Sequence, residues 1–136
     1  MKRLFRGTGT AIVTPFKNGG EIDWESLERL IEHNIDGGVD YIVSLGTTGE
    51  AITLSREECR RVFDFTIEKV KERVPIVAGL FGSNYTAKLV EGIKNYNLDG
   101  FAAIMSSSPA YSKPTQEGIF RHYMEVEKVS PLPIII

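Results

Sequence analysis

The chain has one cysteine and two histidines in 136 residues, and that scarcity removes whole classes of chemistry. Cys59 has no partner for an internal disulfide. It falls on the apolar stripe of a helical pattern and reads as a small buried hydrophobe rather than a nucleophile. His33 and His122 sit in separate helical segments with no second histidine or cysteine at ligand spacing, so no metal site is expected. Basic clusters are missing as well. With a net charge of -2, nothing offers an electrostatic footprint for nucleic acid or an anionic membrane surface. No apolar run approaches membrane-spanning length. The opening Met1-Lys2-Arg3-Leu4-Phe5-Arg6 meets Gly7-Thr8-Gly9 without the apolar core of a secretory signal. Together these absences point to a cytoplasmic protein. Gly-x-Ser-x-Gly is absent, which sets aside a nucleophile-elbow hydrolase. Gly7-x-Gly9 precedes the first strand instead of following it, which sets aside a dinucleotide fingerprint.

What is present is a regular alternation. The composition, 42% hydrophobic and 25% charged, is that of one globular domain large enough to bury a core. Five short β-rich apolar runs fall at residues 10–14, 41–45, 75–80, 101–106 and 133–136, and each of the first four is followed by a helix-period segment. The first helix is expected to start at the N-cap Asp23, to bury Trp24, Leu27, Leu30, Ile31 and Ile35, and to stop at Gly37-Gly38. The second opens on a capping box, Ser55-x-x-Glu58, with Cys59, Val62, Phe63, Ile67 and Val70 along one face. The third runs from about Thr86 with Leu89, Val90, Ile93 and Tyr96. The fourth follows Pro114 at Thr115, with Ile119, Phe120, Tyr123 and Met124 turned inward.

Strand and helix repeated four times and closed by a strand implies a parallel sheet, because parallel neighbours need a crossover and a helix supplies it. Two α/β architectures fit: the first five strands of a (β/α)8 TIM barrel, or a five-stranded doubly wound parallel sheet. The final strand has no closing helix after it, which favours the barrel. No linker or low-complexity tract divides residues 1–136. Either architecture puts function at the carboxyl ends of the strands. There the chain carries Thr14-Pro15-Phe16, Gly46-Thr47-Thr48-Gly49-Glu50, the glycine-rich segment 79–84, and the polar segment 106–113 with Tyr111. A Gly-Thr-Thr-Gly turn can point backbone N–H groups outward at a small anion such as a carboxylate or phosphate. Phosphate or flavin binding on a doubly wound sheet stays open on this reading.

Three segments, Gly7-Thr8-Gly9-Thr10-Ala11-Ile12-Val13-Thr14-Pro15-Phe16, Gly46-Thr47-Thr48-Gly49-Glu50 and Pro109-Ala110-Tyr111-Ser112-Lys113-Pro114-Thr115-Gln116-Glu117-Gly118, closely resemble the dihydrodipicolinate synthase/N-acetylneuraminate lyase family of Schiff-base lyases. The likeness runs in order along essentially the whole chain. It implies that residues 1–136 form the N-terminal half of a TIM-barrel domain with no cofactor. It further implies a lyase acting on small molecules, pyruvate and an aldehyde. The last segment points to the activity that condenses pyruvate with aspartate semialdehyde in lysine and diaminopimelate biosynthesis. Another pyruvate-dependent aldolase, or a non-catalytic half-barrel, is the alternative. By the same resemblance Thr47 and Thr48 would hold the pyruvate carboxylate, and Thr47 and Tyr111 would pass protons. Tyr111 would reach a neighbouring subunit's site, implying a homodimer or homotetramer. The family's imine-forming lysine lies on a sixth strand that these residues do not include, so the chain alone is expected to be inactive. In lysine-inhibited members the feedback site uses an acid, a tyrosine and two histidines where this chain has Lys88, Ala110, Arg56 and Cys59, which implies insensitivity to lysine.

Overall fold

The computed structural model describes residues 5–110 and 113–136. Nine elements alternate: β1 (Gly9–Ala11), α1 (Trp24–Asp36), β2 (Tyr41–Ser44), α2 (Arg56–Val70), β3 (Ile76–Ala78), α3 (Thr86–Asn95), β4 (Ala103–Met105), α4 (Gln116–Glu127) and β5 (Ile134–Ile135). Local chemistry starts the helices where the sequence signals lie. The Asp23 carboxylate accepts from the Ser26 amide at 3.1 Å and the Ser26 hydroxyl at 2.7 Å. Ser55 and Glu58 close a reciprocal capping box, and Thr115 Oγ1 accepts from the Gly118 amide at 3.1 Å. Each cap satisfies amides that the first helical turn leaves without partners.

The strands pair in the order β1-β2-β3-β4-β5, all parallel. A doubly wound sheet reverses its order at a switch point, whereas a barrel adds each strand beside the one before it. The sequential order therefore decides against the doubly wound alternative. The two faces agree. Ile42, Ile76, Ile104 and Ile134 face the helices in one large core with Leu27, Ile31, Phe63 and Val70. Val43, Val77 and Ala103 form a small second cluster with Phe5, Tyr41, Met105 and Ile135 on the opposite face, the side that lines the inside of a barrel.

Two expectations change. The strands are shorter than the apolar runs, although single ladder bonds continue past them: Ile12 N–H donates to Val43 at 3.1 Å, Gly79 N–H to Ser44 at 2.8 Å, and Ser106 N–H to Ile135 at 2.9 Å. Beyond these bonds the backbone turns into the loops. The second change concerns α4. Phe120 is 61% exposed and Met124 38%, while His122 and Val126 are buried. His122 turns inward because Thr86, at the first turn of α3, meets its Nδ1 at 2.9 Å. Phe120, Tyr123 and Met124 instead border an open groove of about 460 Å³ with Leu132, Pro133, Ile134 and Ile136, beside the strand edge at β5 that has no neighbour among the described residues.

Candidate active site

The loops after β1, β2, β3 and β4 interlock in strand order along one rim. Thr14, 4% exposed, donates its hydroxyl to the Gly49 carbonyl at 2.7 Å. On the other flank Gly79 lies so close to the β2 loop that a Cβ there would sit 2.5 Å from the Gly46 nitrogen, a contact only glycine permits. Further round, a Cβ on Gly82 would sit 2.2 Å from Ser107 Oγ. Asn84 Oδ1 accepts from the Ala110 amide at 2.6 Å. Tyr123 on α4 underpins the β4 loop from below, its hydroxyl donating to the Ser106 carbonyl at 3.1 Å and meeting Ser108 Oγ at 3.0 Å.

Within this rim the segment Gly46-Thr47-Thr48-Gly49-Glu50 is a tight double turn. Gly49 N–H donates to the Gly46 carbonyl at 3.0 Å and Glu50 N–H to the Thr47 carbonyl at 3.1 Å. Left-handed angles at Leu45 (φ 56°) and Glu50 (φ 55°) bound it. Thr47 and Thr48 lie side by side, exposed, while Gly49 is buried beneath them. Both proposed carboxylate-holding residues are thus in one turn on the rim. Tyr111, expected to relay protons, lies outside the described residues. The segments before and after it are tied down, with the Lys113 amide donating to the Ala110 carbonyl at 3.1 Å.

None of the five strands contains a lysine. Lys69 lies on the outer surface of α2, where Glu28, 2.9 Å away, holds its ammonium above the usual lysine range. A Schiff-base nucleophile needs the opposite shift. Behind the rim, between α2 and α3, a groove of about 820 Å³ is lined by Arg56, Cys59, Lys88 and Tyr96 among others. Burial pushes the Cys59 thiol up and the Tyr96 hydroxyl up to about 12, so both stay protonated near neutral pH and neither serves as a base.

Sequence reading missed three contributors to this rim. Thr14 and Gly79 were placed at the carboxyl ends of strands but were given no part in holding the turn, since their partners are far away in the chain. Tyr123 was expected only as core. A hydroxyl amino acid or glycine just past the end of a parallel strand is the signal that could have found the first two.

The dihydrodipicolinate synthetase family model matches residues 4–136. A 4-hydroxy-tetrahydrodipicolinate synthase of Flavobacterium psychrophilum is 46% identical over 134 residues, 98% of this chain and 45% of that protein. Among solved structures, the dihydrodipicolinate synthase of Thermotoga maritima superposes with a TM-score of 0.89 at 41% identity, covering 96% of this chain and 44% of the other. The chloride-inhibited dihydrodipicolinate synthase of Acinetobacter baumannii, complexed with pyruvate, gives a TM-score of 0.87 at 43% identity over 94% of this chain and 44% of its own. The chain spans about half the length of the curated relatives it matches. A family match over nearly every residue, joined to sequential parallel strands and the interlocked rim, means that this chain belongs to the dihydrodipicolinate synthetase family.

Proposed function

We propose that residues 1–136 are the N-terminal half of a TIM-barrel Schiff-base lyase and carry the part of the site that grips the carboxylate of pyruvate. The observation behind this is the Thr47-Thr48 turn, exposed on the carboxyl-end rim and wedged between Thr14 and Gly79. Fixed amide and hydroxyl dipoles can hold a carboxylate without reorganising as the reaction proceeds. A lysine amine outside these residues would attack the pyruvate carbonyl and expel water, leaving an imine. Loss of a methyl proton then gives a carbon nucleophile for aspartate semialdehyde, the step of lysine and diaminopimelate biosynthesis. Thr47 and Tyr111 would pass the protons.

The pyruvate complex of the Acinetobacter baumannii relative supports the substrate. The partner is a second copy of the chain, in a homodimer or homotetramer, through Tyr111. A single buried thiol suits the reducing cytoplasm. Lysine would not inhibit, because Lys88 repels the ammonium of that ligand and Ala110 offers no phenol to it. Mass spectrometry after incubation with pyruvate and borohydride tests the proposal. Residues 1–136 should remain unmodified, and a complete barrel containing them should gain one reduced pyruvyl group. A complete barrel that gains none would refute the lyase reading and leave a non-catalytic half-barrel.

A further inference from the structure

We infer that Thr14 is the positioning residue that aims the amides of Thr47 and Thr48 at the substrate carboxylate, with Gly79 as the wall behind the turn. The inference rests on the pyruvate-gripping role of that turn. Peptide planarity carries it. In a trans peptide the C=O and the following N–H point in opposite directions. The Gly46 carbonyl accepts from Gly49 at 3.0 Å, so the N–H of Thr47, in the same peptide plane, faces out of the turn. The Thr47 carbonyl accepts from Glu50 at 3.1 Å, so the N–H of Thr48 faces out the same way. That second bond depends on the peptide joining Gly49 to Glu50, whose own carbonyl is held by the Thr14 hydroxyl at 2.7 Å. Thr14 therefore grips one end of the peptide plane whose other end orients the Thr48 amide.

The turn has no freedom to find this arrangement another way. A Cβ on Gly49 would stand 3.1 Å from the Leu45 backbone and 3.2 Å from the Ile12 carbonyl, so the Gly49 backbone is seated on β1 and on the end of β2. On the far side Gly79 N–H donates to the Ser44 carbonyl at 2.8 Å, and its missing side chain lets Gly46 lie 2.5 Å from where a Cβ would be. The turn is thus clamped from β1 by a hydroxyl and from β3 by a bare backbone. The Thr14 hydroxyl is buried, so its loss leaves the Gly49 carbonyl without a partner and free to rotate the peptide.

The pyruvate carboxylate does not react, so weakening its grip lowers substrate and transition-state binding alike. That raises KM and leaves kcat in place. Steady-state kinetics on a complete barrel containing residues 1–136 provide the test. Thr14→Val, which keeps the shape and removes the hydroxyl, should raise KM for pyruvate by about tenfold with kcat within about twofold of wild type. Thr14→Ser should restore KM. Gly79→Ala, which pushes Gly46 and with it the proton-passing Thr47, should raise KM at least as far while lowering kcat as well, and its KM is the readout if Thr14→Val does not fold. A merely structural role would lower the amount of active enzyme, so kcat would fall while KM stayed put, and that pattern overturns the inference. Unchanged KM in Thr14→Val or in Gly79→Ala overturns it too, as does Thr14→Ser failing to rescue. A wild-type barrel that traps no pyruvate with borohydride overturns the lyase reading itself, and this inference with it.

Discussion

The two ends of the sheet are built differently. Around β1 to β3 every loop is engaged by its neighbour, and α1 and α2 are laced together. Trp24 packs against Phe65 with ring centroids 5.1 Å apart, and Arg73 meets both carboxylate oxygens of Glu32 at 2.6 Å. Around β5 the last helix shows Phe120 and Met124 to solvent, and Ile136 is 76% exposed. Single apolar side chains such as Val13 and Ile52 are exposed at the first end as well, but among the described residues only at β5 do they line one groove. The difference is supplied by a neighbouring βα unit, which the first four strands have on their later side and β5 lacks among the described residues. A barrel abolishes such an edge by closing on itself.

The sharpest way to break this comparison is to remove one large side chain from each end. Phe63, 2% exposed and edge-on to Phe101 at 4.7 Å, should cost about 3–5 kcal/mol when replaced by alanine. Urea unfolding measures this. At concentrations where residues 1–136 are monomeric, Phe120→Ser should change stability by no more than about 0.5 kcal/mol. A large loss there would mean that Phe120 is already packed. The paired substitutions Phe120→Glu and Met124→Lys should shift residues 1–136 from self-associated species toward monomer in sedimentation velocity, since they charge the apolar rim of the open groove.

Effects of about 1 kcal/mol are expected at the well-knit end. Ser55→Ala removes the hydroxyl that accepts from the Glu58 amide, while the residue-55 amide can still donate to the Glu58 carboxylate, and should lower stability by about that much. Ser44→Ala should act similarly, because Ser44 Oγ lies buried 3.2 Å from Thr66 Oγ1, which also donates to the Val62 carbonyl. Smallest and most specific is the response of His122 to pH. Burial holds its imidazole below the usual histidine value of 6.5, so the unfolded chain binds the proton more readily than the folded one. Stability should be full above about 6.5 and fall as the pH drops through the lower folded-state value. His122→Gln should flatten that slope between pH 7 and 5 in pH-dependent urea unfolding. An unchanged slope would locate the titration elsewhere.

Legibility followed the range of the interactions. Helix starts at Asp23, Ser55 and Thr115 could be read because a cap and its amide lie three residues apart. The Thr47-Thr48 turn could be read because glycines frame it. Strand order could not be read, since an apolar run carries no label for its neighbour, and both α/β architectures predict the same runs. The inward face of α4 was misread because His122 counts as polar in any periodicity, and only Thr86 on another helix makes it a core residue. The loops of the rim could be named, but the contacts that knit them together were hidden for the same reason. Thr14 and Gly49, or Gly46 and Gly79, meet only after separate βα units have folded side by side.

The sequential pairing of β1 through β5 has a consequence for how the chain is made. Each strand forms its ladder with the strand that precedes it, one βα unit earlier, so no pairing waits for a distant partner. Every pairing therefore closes one loop of similar length, about thirty residues, as from Gly9 to Tyr41 or from Ile104 to Ile134, and none has to close a longer one. A ribosome releasing this chain from its N-terminus delivers each strand to a template already in place. The sheet can then grow at the pace of synthesis, with its single growing edge always at the most recently emerged strand.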